Sequence, residues 1–480
     1  MLRARKLFLA KVATAGVAVP ILLWAHEYGP DPGYCGVPGE HASCVFSGCH
    51  DGTPNSPAYK GSVSVGFQGG QYYIPGVKQH LKVTIADPAS SQGAWGFQLT
   101  ARPSSSPSTM AGSLAFTDVN TLLMCSQNNL QVFQAQCQGK NDSCSNSNTT
   151  CPAGMPLQYV EHSLSGYTST KGPGSGTYEF DWTPPASTVG NVIIYLAGNA
   201  GPPGLPNQNG SHIYTTTYTL TPVLPTGTPS ISANGVVSAS AFGGYANVAP
   251  GSWMEIYGSN LSATSRGWGS ADFSGSKAPT SLDGVKVTIG GQAAFVDFIS
   301  PGQVNAQVPS NVATGPQQMT VTAPGGTSSS YNITVNQTQP GLLAIPSFVV
   351  SGKQYVVAQF SDGSFVLPPG TLSGVTTRQA KPGETIVIYG VGFGPVQDAN
   401  GNDIPAGTVV SAANKLANPF SMSIGGSTAS VPYQGLAPNF VGLYQFNVVV
   451  PNIANNDLAS LSYTLNGTAG AQTLYLAVHN

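Results

Sequence analysis

Charge is the scarcest property of this chain: only 8% of its 480 residues are Asp, Glu, Lys or Arg, and the formal net charge is −2. With 17 basic residues and no basic stripe, the electrostatic footprint of a nucleic-acid binder is missing. So is a field able to steer a charged partner from a distance. Long hydrophobic runs are equally scarce. Apart from an N-terminal stretch from Val12 to Trp24, interrupted by Thr14, no segment approaches the roughly 20 residues of a spanning helix. Acidic residues are few and scattered, and there is no Gly-x-Ser-x-Gly elbow. Glu161 and His162 are adjacent, so on a strand they point to opposite faces and cannot easily cooperate. No hydrolytic constellation is visible, and the chain reads as a non-enzyme.

Turn formers and β-formers fill the space. There are 59 Gly and 38 Pro, and 41% of residues are hydrophobic, which supplies several cores of short strands. The N-terminus reads as a secretory signal over residues 1–25. Arg3, Arg5, Lys6 and Lys11 form its basic part, the Val12–Trp24 run its apolar part, and cleavage falls after Ala25. An uncleaved N-terminal anchor is the alternative. The mature chain is expected outside the cytoplasm, extracellular or at the cell surface, with the periplasm as a variant and no membrane span. Seven cysteines, all between Cys35 and Cys151, agree with an oxidising compartment. Cys125, Cys137, Cys144 and Cys151 sit in a Gln/Asn/Ser-rich stretch with little apolar surface to bury, so two disulfides are expected there, in any of three pairings.

The pattern most directly tied to chemistry is Cys44-Val-Phe-Ser-Gly-Cys49-His50. Two thiols followed at once by an imidazole is how c-type haem is attached: the cysteines bond the porphyrin and the histidine ligates iron. The usual spacing has two residues between the cysteines; here there are four. If haem c is bound, His50 is the proximal ligand and His162 the leading distal candidate, with His80, His212 and Met124 behind it. Two imidazoles would saturate the iron and favour electron transfer. The competing readings are a disulfide from Cys49 to Cys44 or Cys35, and a zinc site of Cys44, Cys49, His50 and His162, which an oxidising compartment disfavours.

Three blocks follow the signal. Residues 26–223 hold every cysteine and read as strands at Ser62–Phe67, Gln79–Ala86, Gly96–Ala101, Gly176–Trp182, Val192–Ala197 and Ile213–Leu220. A Pro/Thr/Gly connector, Pro222–Pro229, ends the block. Blocks 227–336 and 337–480 are diverged copies of each other. Pro250–Gly258 matches Pro382–Gly390, Val287–Val296 matches Met422–Val431, and Gln303–Pro309 matches Gln445–Pro451, the offset growing from 132 to 142 residues. Gly290–Gly291 and Gly425–Gly426 suit hairpin turns that need φ > 0. Gly390, Gly392 and Gly394 are turn glycines, since no helix follows to cradle a phosphate. Asp398–Asp403 reads as a polar turn rather than a calcium loop, because Val409 stands where the chelating glutamate belongs. Trp95 and Trp182 lie in strand patterns and are expected in the core rather than on a sugar-binding face.

The segments Val37-Pro-Gly-Glu40, Trp95–Arg102, Tyr159–Ser163, Phe180–Pro185 and Val192–Ala200 give the first block a resemblance to the bacterial reeler-like, choice-of-anchor type of exported domain. The marks Pro250-Gly-Ser-Trp253, Leu282-Asp-Gly-Val285, Ile299-Ser-Pro301, Gly392-Phe-Gly-Pro395 and Gly442-Leu-Tyr-Gln445 make the later blocks similar to the C-terminal immunoglobulin-like domains of large exported proteins of soil bacteria. The resemblance implies an all-β chain of three β-sandwich domains in tandem, with a binding or structural role and an unknown surface or extracellular ligand. It also implies that Cys44, Cys49 and His50 occupy a haem-attachment-like position. A monohaem electron-transfer protein with a redox partner is the alternative.

Overall fold

The computed structural model describes residues 29–45, 50–127, 136–139, 143–144, 148–203, 210–225 and 227–480. The expected signal segment 1–25 and Cys49 lie outside the described residues. Two compact units meet at the Leu224–Pro225 boundary. Among the described residues no helix is long and apolar enough to cross a membrane.

The first unit has strands β1 (Ser62–Gly66), β2 (Tyr72–Tyr73), β3 (Gln79–Asp87), β4 (Ala94–Pro103), β5 (Ser113–Phe116), β6 (Thr121–Ser126), β7 (Gln136–Gln138), β8 (Leu157–His162), β9 (Gly174–Thr183), β10 (Val192–Gly201) and β11 (His212–Pro222). They form one sheet in the order β1-β3-β9-β5 and a second in the order β2-β11-β10-β4-β8-β6-β7. Period-2 alternation sends Leu81, Val83 and Ile85 of β3 inward with Tyr178, Phe180 and Trp182 of β9. They meet Trp95, Phe97 and Leu99 of β4 and Ile194 and Leu196 of β10 in one core. Trp95 and Trp182 are fully buried, and each donates its indole N–H to a backbone carbonyl, Gly172 and Ala111 respectively, so both serve packing.

β4 departs from alternation, since all ten of its positions are buried. Its core face is apolar, but Gln98, Thr100 and Arg102 on the opposite face are covered as well. The cover is the N-terminal segment 29–45, a strap without regular structure lying across β4 and β8.

The second unit carries two large cores, one from residues Val236 to Val335 and one from Leu342 to Val478, and a smaller cluster around Phe348, Tyr355 and Leu367. The internal duplication is visible as equivalent strand pairing. Trp253–Ser259 lies antiparallel to Gln303–Gln307, and Thr385–Val391 lies antiparallel to Tyr444–Val449. The Gly-Gly pairs turn as their sequence demands: φ is +54° and +77° at Gly290 and Gly291, and +57° and +80° at Gly425 and Gly426. In the second copy Ser427–Leu436 belongs to both halves of an eleven-stranded sheet. It pairs with Phe420–Ile424 at one end and with Tyr444–Val449 at the other, changing register between Ser430 and Tyr433. A bulge of this kind is how a strand turns the corner of a sandwich.

Candidate functional site

The strap brings the chemistry-bearing residues of the first unit together. Tyr34, Cys35, Val37 and Cys44 pack against Leu157 and Tyr159 of β8, Tyr195 and Ala197 of β10 and Ile213 of β11. This small apolar cluster lies on the outer face of the sheet, with Met124 of β6 at its edge. Backbone polar groups of the strap find partners on the strand below: Tyr34 N–H donates to Gln98 Oε1 (2.8 Å), and Gln98 Nε2 donates to Asp31 O (2.9 Å).

At its centre is a buried ion pair. Arg102 Nη2 lies 3.2 Å from Glu40 Oε1, both side chains being fully inaccessible, and Tyr159 donates its hydroxyl to the same oxygen at 2.7 Å. The guanidinium carbon sits 5.1 Å from the Tyr159 ring centroid. Burial pushes the Glu40 carboxyl above its ordinary value, against the pull of Arg102 and of the Tyr159 hydroxyl. Burial likewise raises the Cys35 thiol, reinforced by the neighbouring Glu40 carboxyl. A second buried carboxyl, Glu161, accepts from Gln98 Nε2 at 2.8 Å; burial holds it well above the usual carboxylate range, opposed by that amide and reinforced by Asp31.

Glu40 and Arg102 escape sequence reasoning as functional residues. One signal could have found them: in a chain so poor in charge, an arginine inside the apolar strand Trp95–Arg102 requires a partner, and Glu40 stands on a segment with no strand pattern.

Among the sequence-derived candidates, Cys44 is buried in the strap cluster with its Sγ 3.8 Å from Tyr34 O, and His50 is half-buried. His162 is almost fully buried at the end of β8, and its Nδ1 lies 3.2 Å from Phe97 N and 3.4 Å from Phe97 O. The ring fills the space a side chain on Gly96 would need, so glycine is required there. Contacts join Cys44 to Tyr34, Tyr34 to Gln98, and Gln98 to Glu161, the residue preceding His162. Met124 is in the same cluster as Cys44. His80 and His212 are engaged elsewhere. His80 Nδ1 lies 2.9 Å from Asp181, whose hydrogen bond raises the imidazole pKa; His212 Nδ1 is 2.6 Å from Asp87, with its ring stacked on Tyr59 at 3.9 Å. Among the described residues, disulfides join Cys125 to Cys151 and, nested inside it, Cys137 to Cys144. The Asp398 turn is closed internally, with Asp398 Oδ1 accepting from the backbone of Asn400 and Asn402, both at 2.9 Å.

The arrangement fixes the Cys44 end of the strap to a rigid sheet. A haem on Cys44, Cys49 and His50 would begin at this anchored end, where the Met124 thioether borders the same cluster.

Comparison with known proteins yields one domain. Residues 246–339 match the IPT/TIG domain. No curated protein matches the chain. Similar solved structures include the reeler domain of human F-spondin, at 17% identity over 36% of this chain and 94% of that one (TM-score 0.21). A cohesin module of a Clostridium perfringens family 33 glycoside hydrolase is 8% identical over 35% of this chain and 99% of that one (TM-score 0.21). The plexin A4 extracellular region is 9% identical over 94% of this chain and 37% of its own length (TM-score 0.18). The protein is therefore a multidomain, immunoglobulin-like β protein, a statement that rests on its own sheets and on the IPT/TIG match.

Proposed function

We propose that this chain is an exported protein of the cell surface or extracellular space, with a binding and scaffolding role and no catalysis of its own. Its first unit is a reeler-like domain of the choice-of-anchor type, carrying tandem immunoglobulin-like domains behind it. The observation that carries this reading is the nested pair of disulfides in a segment too polar to hold itself together. Such bonds persist outside the cytoplasm and substitute for missing apolar burial. The test is to produce the full chain in an export-competent bacterium, fractionate the cells, block thiols with an alkylating reagent and map cysteine linkages by mass spectrometry. Export with Cys125–Cys151 and Cys137–Cys144 intact is expected. A cytoplasmic chain with those four cysteines alkylated would refute the reading.

A second reading is supported by the burial of Cys44 in the apolar cluster that Met124 borders: a monohaem electron-transfer protein with haem c on Cys44, Cys49 and His50. When bound, the haem would supply one-electron chemistry. The strap would hold its attachment segment, and the buried, apolar surroundings would limit solvent access. Co-expression with a cytochrome c maturation system decides the matter. A Soret band and an intact-mass adduct lost in Cys49→Ala support it, and a colourless protein removes it.

A further inference from the structure

Where the two immunoglobulin-like domains of the second unit meet, they border a partly open cavity of about 330 Å³. The joint around it is fastened by direct hydrogen bonds between the copies. Trp253 Nε1 donates to Val441 O (2.9 Å), Gly407 N to Gln307 Oε1 (2.7 Å) and Ala406 N to Ser310 Oγ (2.7 Å). The Gln307 side chain packs so closely on Gly442 that a β-carbon there would fall 2.0 Å from Gln307 Nε2. The cavity is therefore a preformed site rather than a gap between loosely tethered domains, and its size is at the lower end of the roughly 300–1,000 Å³ of small-molecule sites.

Its lining selects a chemistry. Pro250, Pro395, Ile404 and Leu436 give apolar walls, while Thr314, Gln337 and Asn418 bring a hydroxyl and two amides. No lysine, arginine or histidine lines it, so an anionic ligand has no counter-charge. The single carboxylate, Asp403, is exposed and accepts from Gln397 Nε2 at 3.2 Å. Apolar walls beside neutral donors and acceptors match a sugar ring, whose faces are C–H and whose rim is hydroxyl.

We propose that this inter-domain cavity is a binding site for a neutral glycan unit of one or two sugar rings. The assignment rests on the exported, surface-binding role proposed above and gives that role a ligand class.

The experiment uses the intact chain. Saturation-transfer NMR and calorimetry are run with cellobiose, maltose, lactose and N,N′-diacetylchitobiose at millimolar concentration, alongside an array of immobilised neutral glycans. Binding to at least one of them is expected. Asn418→Ala combined with Gln337→Ala should weaken it by about tenfold, the loss of one or two hydrogen bonds. Thr314→Trp, at an exposed position, should block the entrance with the thermal transitions unchanged. No binding to any neutral glycan overturns the proposal, as does binding that Thr314→Trp leaves intact, because the ligand would then sit elsewhere. An exported chain that binds no glycan refutes this site alone. A chain retained in the cytoplasm refutes the reading beneath it.

Discussion

Removing Glu40 exposes how much the strap depends on its ion pair. In Glu40→Ala the Arg102 guanidinium stays beneath the strap at zero accessibility with no counter-charge, and the Tyr159 hydroxyl loses its acceptor. Breaking a buried pair by deleting one partner costs about 3–5 kcal/mol, and orphaning a buried donor costs about 1–3 kcal/mol. The two losses fall in one network and do not add, so a net cost of about 4 kcal/mol is expected. For a unit of roughly 200 residues, at 2–4 °C per kcal/mol, the midpoint should fall by about 8–16 °C. Calorimetry of the intact chain reads this directly, the transition of the first unit being the one that also shifts when the disulfides are reduced. Glu40→Leu with Arg102→Met removes both charges and keeps comparable volume, and it should recover most of the loss. A fall below about 2 °C in Glu40→Ala would show that the pair does not fasten the strap. A double variant as unstable as the single one would show that shape, not charge, is what matters.

Burial raises the Glu161 carboxyl, so its folded-state pKa lies above its unfolded value. The folded state then binds the proton more tightly. Its contribution is complete below the unfolded pKa and is lost as pH rises through the folded one. Glu161→Gln should flatten that decline in urea melts of the first transition followed from pH 4 upward; an unchanged pH profile would contradict it. Asp297 in the second unit behaves alike, with burial pushing it up to about 7. Stability of the second unit should therefore decline between about pH 4 and 7 and flatten in Asp297→Asn, measured the same way. Replacing Cys125 and Cys151 by serine opens a loop with a sequence separation of 26 and should cost about 3.5 kcal/mol, whereas Cys137 and Cys144, separated by 7, should cost about 2.4 kcal/mol. Equal losses in denaturant melts would argue against chain entropy as the source.

The regular parts of the fold were legible wherever one face of a strand is buried and the other is wet. Gln79–Ala86 read as a strand and forms Gln79–Asp87; the Gly-Gly hairpins and the duplicated strands read equally well. Leu157–His162 and Thr121–Ser126 did not read as strands, because both of their faces are covered and alternation is lost. The strap was invisible for a related reason: its residues have no period, and their fit depends on β4 and β8, far along the chain. Disulfide pairing was likewise beyond the sequence, since four cysteines in a polar stretch allow three connectivities and only the folded β6–β7–β8 edge selects one. The Cys44–His50 pattern suggests chemistry from sequence alone, whereas the route from Cys44 through Tyr34 and Gln98 to Glu161 depends on tertiary packing.

Three arginines of this chain fasten segments where periodic burial fails. The strap is clipped by Arg102 on Glu40, buried at both ends. In the domain matching IPT/TIG, Arg266 reaches Asp272 and Asp283, both at 2.9 Å, tying an irregular crossing to the sheet. In the next copy Arg378 grips Glu384 at 2.9 Å beside the Phe360 ring, though there the pair is about one-third exposed and correspondingly weaker. A segment without an amphipathic period has no apolar stripe to bury, so hydrophobic contact cannot set its register on the sheet. A planar guanidinium with five fixed donors can, because it satisfies a carboxylate in few geometries and resists sliding. Low overall charge makes these clips more specific, since each arginine meets few competing carboxylates during folding. The scarcity of charge and the placement of these arginines thus follow from one problem, that of fastening irregular connections onto β-sandwiches.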